Sequence, residues 1–313
     1  MNVTVMGAGG LGGYFGGLLA RAGHRVTFVA RGEHLEALRR QGGVQLHTVH
    51  GDFFAQAVAI GDPADGPIAD LVLFAVKSFD TERAADSLGR TVGSQTAILS
   101  VQNGVENEDL LARRFGPERV LGGNVYLLAT IQAPGVIEQS GGPRLLIFGE
   151  WRGGLTDRVR GLEAALREAG IDATVSDDIV REKWVKYALI CAQAGMTALT
   201  RLPIGEIRAT PPTWAMYRRL LEEIVAVGRA RGVRLDASVV ESHLAIAAKL
   251  EPGYTSSMYY DLTHGKRLEI EALHGAAVRY GREANVPTPA CEAVYAALVP
   301  HDRRVQRPAP QTV

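Results

Sequence analysis

Six residues near the N-terminus, Gly7-Ala8-Gly9-Gly10-Leu11-Gly12, have the spacing that lets a backbone hold an anion. They follow a short apolar run, Val3 to Met6, and open a helix of small residues. In such a turn Gly7 permits the tight bend, Gly9 lets the backbone approach a pyrophosphate, and Gly12 lets the helix pack closely on the strand. The amides at the helix N-terminus then face negative charge, which the helix dipole favours. A second strand, Arg25 to Ala30, leads to Arg31. An NAD site usually carries Asp or Glu at that point, to accept from the ribose hydroxyls. A guanidinium instead offers a fork of donors to a 2′-phosphate. The cofactor is therefore read as NADP(H) rather than NAD(H). FAD is a lesser rival, because the acidic residue is missing there too.

Hydride transfer to a ketone needs a proton for the forming alkoxide, and a positioned lysine can supply it. Lys186 is the candidate. It follows Trp184 by two positions in a helical stretch. Helical spacing puts Ile190, Gln193, Ala194 and Thr197 on roughly the same face. Lys183 lies nearly opposite, so only one of the two lysines is expected to point inward. Lys77 follows LVLFAV, and Asn103 follows AILSVQ, each at the end of an apolar run. Ligands of open α/β sheets bind beyond the carboxyl ends of the strands, which makes both residues suspects. Each has a plainer reading. Lys77 and Lys186 could be solvated lysines, and Asn103 a turn residue before Gly104.

The elements that must position these residues follow from periodicity. Leu71 to Val76, Thr96 to Val101, Val120 to Tyr126, Val136 to Gln139 and Arg144 to Gly149 read as strands. Leu155 to Ala169 reads as a helix ending at Gly170, and Ile171 to Val175 as one more strand. Strands interleaved with helices indicate a mostly parallel, doubly wound sheet. From Asp177 the texture becomes helical. Asp177 or Asp178 caps the helix carrying Trp184, Lys186 and Gln193, and further helices cover Pro212 to Arg231, Ala237 to Leu250, Met258 to Glu283 and Pro287 to Val299. The expected fold is α/β: a Rossmann-like sheet over residues 1–176 and an all-helical substrate domain over 177–300. The helical domain is expected to cover the strand ends and form a cleft. The Arg- and Pro-rich tail, 301–313, is expected to be loose.

At 313 residues there is room for two domains. Lys and Arg total 34 against 34 Asp and Glu, which gives no electrostatic case for nucleic acid or an anionic membrane. The two cysteines, Cys191 and Cys291, form no CxxC pair, so neither a metal site nor a disulfide framework is expected. No apolar run spans a bilayer, and the N-terminus lacks the basic start and cleavage site of a signal peptide. A cytoplasmic protein with a small-molecule substrate is expected, and a homodimer through the helical domain is compatible with the pattern.

With these residues in view, the chain resembles the ketopantoate reductase (2-dehydropantoate 2-reductase) family from end to end. The matching pieces are GAGGLG, VAR with Arg31, AVKSFD with Lys77, SVQNGVEN with Asn103, and GGNVYLLAT before Pro134-Gly135. Further on come EKWVK with Lys186, SSMYYDLTHGKRLEIEALHG with Ser257 and Glu269, and NVPTPA. The resemblance implies that Gly7 to Gly12 hold the pyrophosphate and Arg31 the 2′-phosphate. It puts Lys77 and the Ala129 backbone beside the cofactor, and Asn103 between nicotinamide and substrate. Lys186 becomes the general acid, Ser257 a ligand of the substrate carboxylate, and Glu269 a partner of Lys186 and the cofactor. A carboxylate in reach would favour the charged lysine. Taken alone, Glu269 could be a solvated helix residue and Ser257 a helix cap.

The chain also departs from the family. Four and eight residues after the lysine the family commonly carries asparagines that bind substrate, and here Ile190 and Ala194 stand there. Leu268 replaces the Thr that normally precedes the glutamate. Either Gln193 compensates for the lost amides, or the substrate is a less polar 2-oxo acid or ketone. A third reading is an NADP(H)-binding sensor without turnover. Dehydrogenases of the 6-phosphogluconate or opine type share the N-terminal half but fit EKWVK and SSM less well.

Overall fold

β1 (Asn2–Met6), α1 (Gly10–Arg21) and β2 (Arg25–Val29) make the strand, turn, helix and strand in the computed structural model, which describes residues 1–306. Small residues let α1 lie close on the sheet. A Cβ on Gly16 would stand 2.5 Å from Phe28, and one on Gly17 2.6 Å from Leu46. After these come α2 (Gly32–Gln41), β3 (Gly43–Thr48), β4 (Phe53–Gln56), β5 (Val58–Ile60), β6 (Ala69–Phe74), α3 (Thr81–Ser87) and β7 (Val92–Ser100). Then follow α4 (Asn107–Phe115), β8 (Val120–Ala133), β9 (Val136–Glu150), α5 (Asp157–Glu168) and β10 (Asp172–Val175).

Among the described residues ten strands form one sheet, ordered β4-β3-β9-β8-β7-β6-β1-β2-β5 with β10 beside β9. The run β5-β2-β1-β6-β7-β8 is parallel throughout. Its strand order reverses at β1, the switch point where such sheets open a ligand crevice. Side chains alternate across the sheet, and both faces are buried. Val5, Leu71, Leu73 and Leu99 join one core, while Met6, Val72, Phe74 and Ile98 join the other. That double burial is why these strands read as continuous apolar runs.

The β8–β9 pair is antiparallel. β9 is one long strand where the sequence suggests two, Val136 to Gln139 and Arg144 to Gly149. Gly141, Gly142 and Arg144 all have positive φ, and the ladder to β8 shifts register near Leu128. Pairing absorbs the glycine-rich break as a bulge. The short strands β3, β4 and β5 carry little periodicity and are not legible in the sequence.

The chain divides into two units, residues 1–102 with 106–182, and residues 103–105 with those from Lys183 onward. The division falls inside α6 (Ile179–Thr200), past the expected 176/177 boundary. Asp178 caps α6 by accepting the Arg181 amide at 3.1 Å. α7 (Ile204–Ala209), α8 (Pro211–Ala230), α9 (Val239–Lys249), α10 (Ser257–Thr263), α11 (Ala276–Glu283) and α12 (Pro289–Gln306) complete the second unit. The single helix expected from Met258 to Glu283 is broken. Gly265 turns at φ 62°, and the Leu268 amide donates to Asp302 Oδ1 at 2.8 Å instead of back along a helix. A π turn, Glu271–Gly275, then leads into α11. Residues 301–306 of the tail expected to be loose are the last turns of α12, and residues 307–313 lie outside the described residues. No helix among the described residues is long and apolar enough to cross a membrane.

Candidate active site

Beyond β1 the chain turns at Gly7, whose φ of 98° suits glycine. The Gly7 and Ala8 amides both donate to the Val29 carbonyl, at 3.3 and 3.2 Å, which pins the loop to the end of β2. α1 then starts at Gly10 with neither a capping side chain nor an acidic residue in its first turn. The first amides of a helix have no intrahelical acceptor, so this end is suited to an external anion. Gly10 also lies against β8, because a Cβ there would stand 2.0 Å from the Ala129 carbonyl oxygen. That contact brings the Ala129 backbone to the loop. Leu11 is half-buried and packs against the core under α1.

Gly9 and Gly12 are glycine for different reasons. A Cβ on Gly12 would lie 2.1 Å from the Gly7 carbonyl oxygen. One on Gly9 would meet no atom within 4 Å, and the φ of −72° there suits any residue. Neither packing nor backbone strain requires glycine at position 9. A ligand lying against the backbone would, so the loop fits a dinucleotide pyrophosphate.

The loop opens onto a groove of about 500 Å³ at the carboxyl ends of β1, β2 and β6. Arg31, at the end of β2, lines it and donates to Asp80 at 2.9 Å. His34 lines it too, and it is a residue the sequence did not single out. It accepts the Gly135 amide on Nδ1 at 3.0 Å, so Nε2 carries the hydrogen and donates to the Ala8 carbonyl at 2.8 Å. One neutral imidazole thus ties the glycine-rich loop to the β8–β9 turn. Burial holds its pKa below the usual histidine value.

Gln102 is a second positioning residue. Its Nε2 donates to the Val76 carbonyl at 3.0 Å and to Thr81 Oγ1 at 2.7 Å. Thr81 in turn donates to Asn107 Oδ1 at 2.9 Å. This buried network joins the ends of β6 and β7 to the starts of α3 and α4. It fixes the backbone next to Lys77, which is exposed and stands directly before the short turn Ser78–Asp80. The signal for Gln102 was its place in QNG after an apolar strand.

In the second unit, Lys186 Nζ donates to Asn103 Oδ1 at 3.1 Å. Lys186 is 7% exposed and Lys183 2%, so both lysines are buried, against the expectation that one faces inward. α6 is covered on nearly all sides from Lys183 to Ala198, which leaves it no solvent face for the second lysine. Of the residues expected on the Lys186 face, Ile190 is half-buried, and Gln193, Ala194 and Thr197 are buried. Thr197 Oγ1 lies 2.8 Å from Ser256 Oγ. Ser256, not Ser257, caps α10 by accepting the Tyr259 amide at 3.0 Å. Ser257 is left exposed in the first turn of that helix.

Glu269 is 8% exposed and lies two residues before the π turn, on the far side of Ile270. That turn is fastened to α6 at two points. Tyr187 donates its hydroxyl to the Leu273 carbonyl, and His274 Nε2 donates to the Cys191 carbonyl at 3.0 Å. The segment bearing Glu269 is thereby fixed against the helix bearing Lys186. Cys191 and Cys291 are fully buried, and burial pushes both thiols up, which makes them packing residues.

His274 carries a pH prediction. Burial lowers its pKa to about 4. The folded state therefore keeps it neutral while the unfolded chain protonates near 6.5. Its contribution is complete above that value and is lost as pH falls through 6.5 towards 4. The loss is roughly 3 kcal/mol for this group, and His34 and His243 act in the same direction. Urea unfolding followed by Trp fluorescence should show it between pH 7 and 4.5. The His274→Gln protein should give a visibly shallower dependence, and parallel curves would refute the assignment.

Comparison with known proteins agrees with this geometry. The family model described as ketopantoate reductase PanE/ApbA matches residues 3–153, and its C-terminal counterpart matches 178–301. A 2-dehydropantoate 2-reductase from Halobacterium salinarum is 35% identical over 293 residues, covering 92% of this chain and 95% of its own. The protein named uncharacterized oxidoreductase YkpB, from Bacillus subtilis, is 32% identical over 298 residues, covering 95% of this chain and 98% of its own. The crystal structure of a PanE/ApbA family ketopantoate reductase from Ralstonia eutropha superimposes with a TM-score of 0.90 at 36% identity, covering 98% of this chain and 100% of that one. With both halves matched in order, the chain belongs to the ketopantoate reductase family and is an NADP(H)-dependent oxidoreductase acting on a 2-oxo acid.

Proposed function

We propose that the protein reduces 2-dehydropantoate to (R)-pantoate with NADPH, a step of pantothenate and coenzyme A synthesis, with Lys186 as general acid. The observation that carries this reading is the Lys186–Asn103 hydrogen bond of 3.1 Å, which joins residues 83 positions apart. A sensor without turnover has no comparable support, since the chain is an oxidoreductase of this family.

Gly7 to Gly12 and Arg31 would hold the cofactor, and by the family resemblance Lys77, Ala129, Asn103 and Glu269 lie beside it. When bound, it supplies a hydride for the carbonyl carbon. The remaining work falls to side chains of this chain. The Lys186 ammonium attracts the carboxylate of a 2-oxo acid. Its Nζ gives a proton to the carbonyl oxygen as negative charge develops there. Asn103 accepts one Nζ–H and so restricts where the other two point. By the family resemblance the buried Glu269 lies beside Lys186, where a carboxylate would favour the charged lysine. Ser257 offers its hydroxyl to the substrate carboxylate.

Ile190 and Ala194 favour a second reading, a less polar 2-oxo acid, because they remove two amides from the Lys186 face. Gln193 supports the first. Its Oε1 accepts from Tyr217 at 3.3 Å, while its buried Nε2 has no hydrogen-bond partner among the described residues. An unpaired buried donor costs about 1–3 kcal/mol, which a substrate hydroxyl could offset. The test is NADPH oxidation by purified protein with ketopantoate beside a panel of other 2-oxo acids and ketones. Ketopantoate should show the highest kcat/KM. If it is inert while a more apolar compound reacts, the pantoate assignment falls and the second reading replaces it.

A further inference from the structure

The groove that the glycine-rich loop opens onto holds a second arginine that the family motifs do not account for. Arg83 lies one helical turn after Asp80, near the start of α3. It donates to Asp80 Oδ1 at 2.5 Å, while Arg31 donates to Asp80 Oδ2 at 2.9 Å. One carboxylate thus gathers two guanidinium groups from separate elements, the end of β2 and the helix after β6. All three residues line the same groove.

Exposure separates their roles. The Asp80 side chain is 18% exposed, whereas those of Arg31 and Arg83 are 66% and 67% exposed. The carboxylate sits behind, and the two cations are open to a ligand. Each arginine gives one terminal nitrogen to Asp80, and a guanidinium has five N–H donors in a rigid fork. Two like charges held together have a use when something more negative is to come between them. The one group that separates NADP(H) from NAD(H) is a phosphate carrying nearly two negative charges. A single arginine can bind such a group in one bidentate pair, and a second from another direction supplies further charge-assisted bonds.

We propose that Arg83 is a second ligand of the cofactor 2′-phosphate, and that Asp80 positions Arg31 and Arg83 as a pair. The proposal rests on the reading of Arg31 as the residue at the phosphate end. It makes the NADPH preference a property of two chain segments, so that Arg31 by itself sets only part of it.

The test is titration of wild-type, Arg31→Ala, Arg83→Ala and doubly substituted protein with NADPH and with NADH, followed by fluorescence. Arg83→Ala should weaken NADPH about tenfold and leave NADH within about twofold, as expected for loss of a charged contact to the phosphate alone. The double variant should bind the two cofactors nearly equally. Arg83 is largely exposed, so its thermal midpoint should match wild type, and a matching midpoint separates lost contact from lost fold. If wild type prefers NADPH and Arg31→Ala removes that preference while Arg83→Ala leaves it intact, the Arg31 reading stands and this proposal is wrong. Equal loss of both cofactors in Arg83→Ala would also overturn it. If wild type itself does not distinguish the cofactors, the Arg31 reading fails and the proposal falls with it.

Discussion

Replacing Lys186 by Ala should lower kcat by about 10²–10⁴, the range that a positioned proton donor contributes. NADPH affinity should stay within about twofold, because on the proposed reading the loop amides and the arginine end of the groove, not Lys186, hold the dinucleotide. Lys186→Arg sharpens the test. A guanidinium keeps the positive charge that attracts a 2-oxo carboxylate, but it does not give up a proton at ordinary pH. The arginine variant should therefore retain most of the substrate affinity while kcat stays low. Steady-state kinetics with a separate NADPH titration decides the matter. If Lys186→Ala abolishes cofactor binding with turnover, the lysine belongs to the cofactor site and the proton comes from elsewhere. Lys183 is the control. It is buried on the same helix, so its loss should appear in the thermal midpoint, and only Lys186 should show a selective loss of kcat.

The second large effect separates two glycines three positions apart. Gly12→Ala puts a methyl group 2.1 Å from the Gly7 carbonyl oxygen, with Val5 and Ala75 also close, at 3.0 and 3.2 Å. The first obstacle is backbone, which cannot rotate away. Overpacking of this kind costs about 3 kcal/mol or more. At about 2–4 °C per kcal/mol for a unit of this size, the midpoint should fall by roughly 6–12 °C. Gly9→Ala should do the opposite. Its Cβ enters open space at a φ of −72°, so the midpoint should hold. NADPH affinity should nevertheless fall about tenfold or more, because on the proposed reading the pyrophosphate approaches through that open space. Calorimetry and a cofactor titration on the two variants test both halves. Unchanged NADPH binding in Gly9→Ala would remove the strongest structural argument for where the dinucleotide lies.

Much of the first unit was legible because its signals are local. Val3 to Met6 and the glycine spacing are contiguous, Arg31 follows one helix and one strand later, and the central strands are apolar on both faces. Where the sequence misled, distant contacts had intervened. The glycine-rich stretch at 141–142 reads as a break, yet pairing with β8 carries β9 straight through it. Met258 to Glu283 reads as one helix. Gly265 and the Asp302 carboxylate divide it, and the π turn that results is what fastens Glu269 against α6. The cap of α10 is Ser256 where Ser257 was the candidate, a shift of one residue that frees the Ser257 hydroxyl.

By itself the sequence determined the nucleotide loop, the parallel sheet behind it, the helical second half and the residue types available for proton transfer. Each of these depends on the spacing of neighbours along the chain, which periodicity and turn chemistry register directly. Tertiary structure alone decided the pairings. It put Asn103 on Lys186 and buried Lys183 on the same helix. It turned His34 into a strap between the loop and the β8–β9 turn, and it gathered Arg31 and Arg83 on one carboxylate. These partners lie in different elements, and only strand order, a bulge and a π turn bring them within hydrogen-bonding reach.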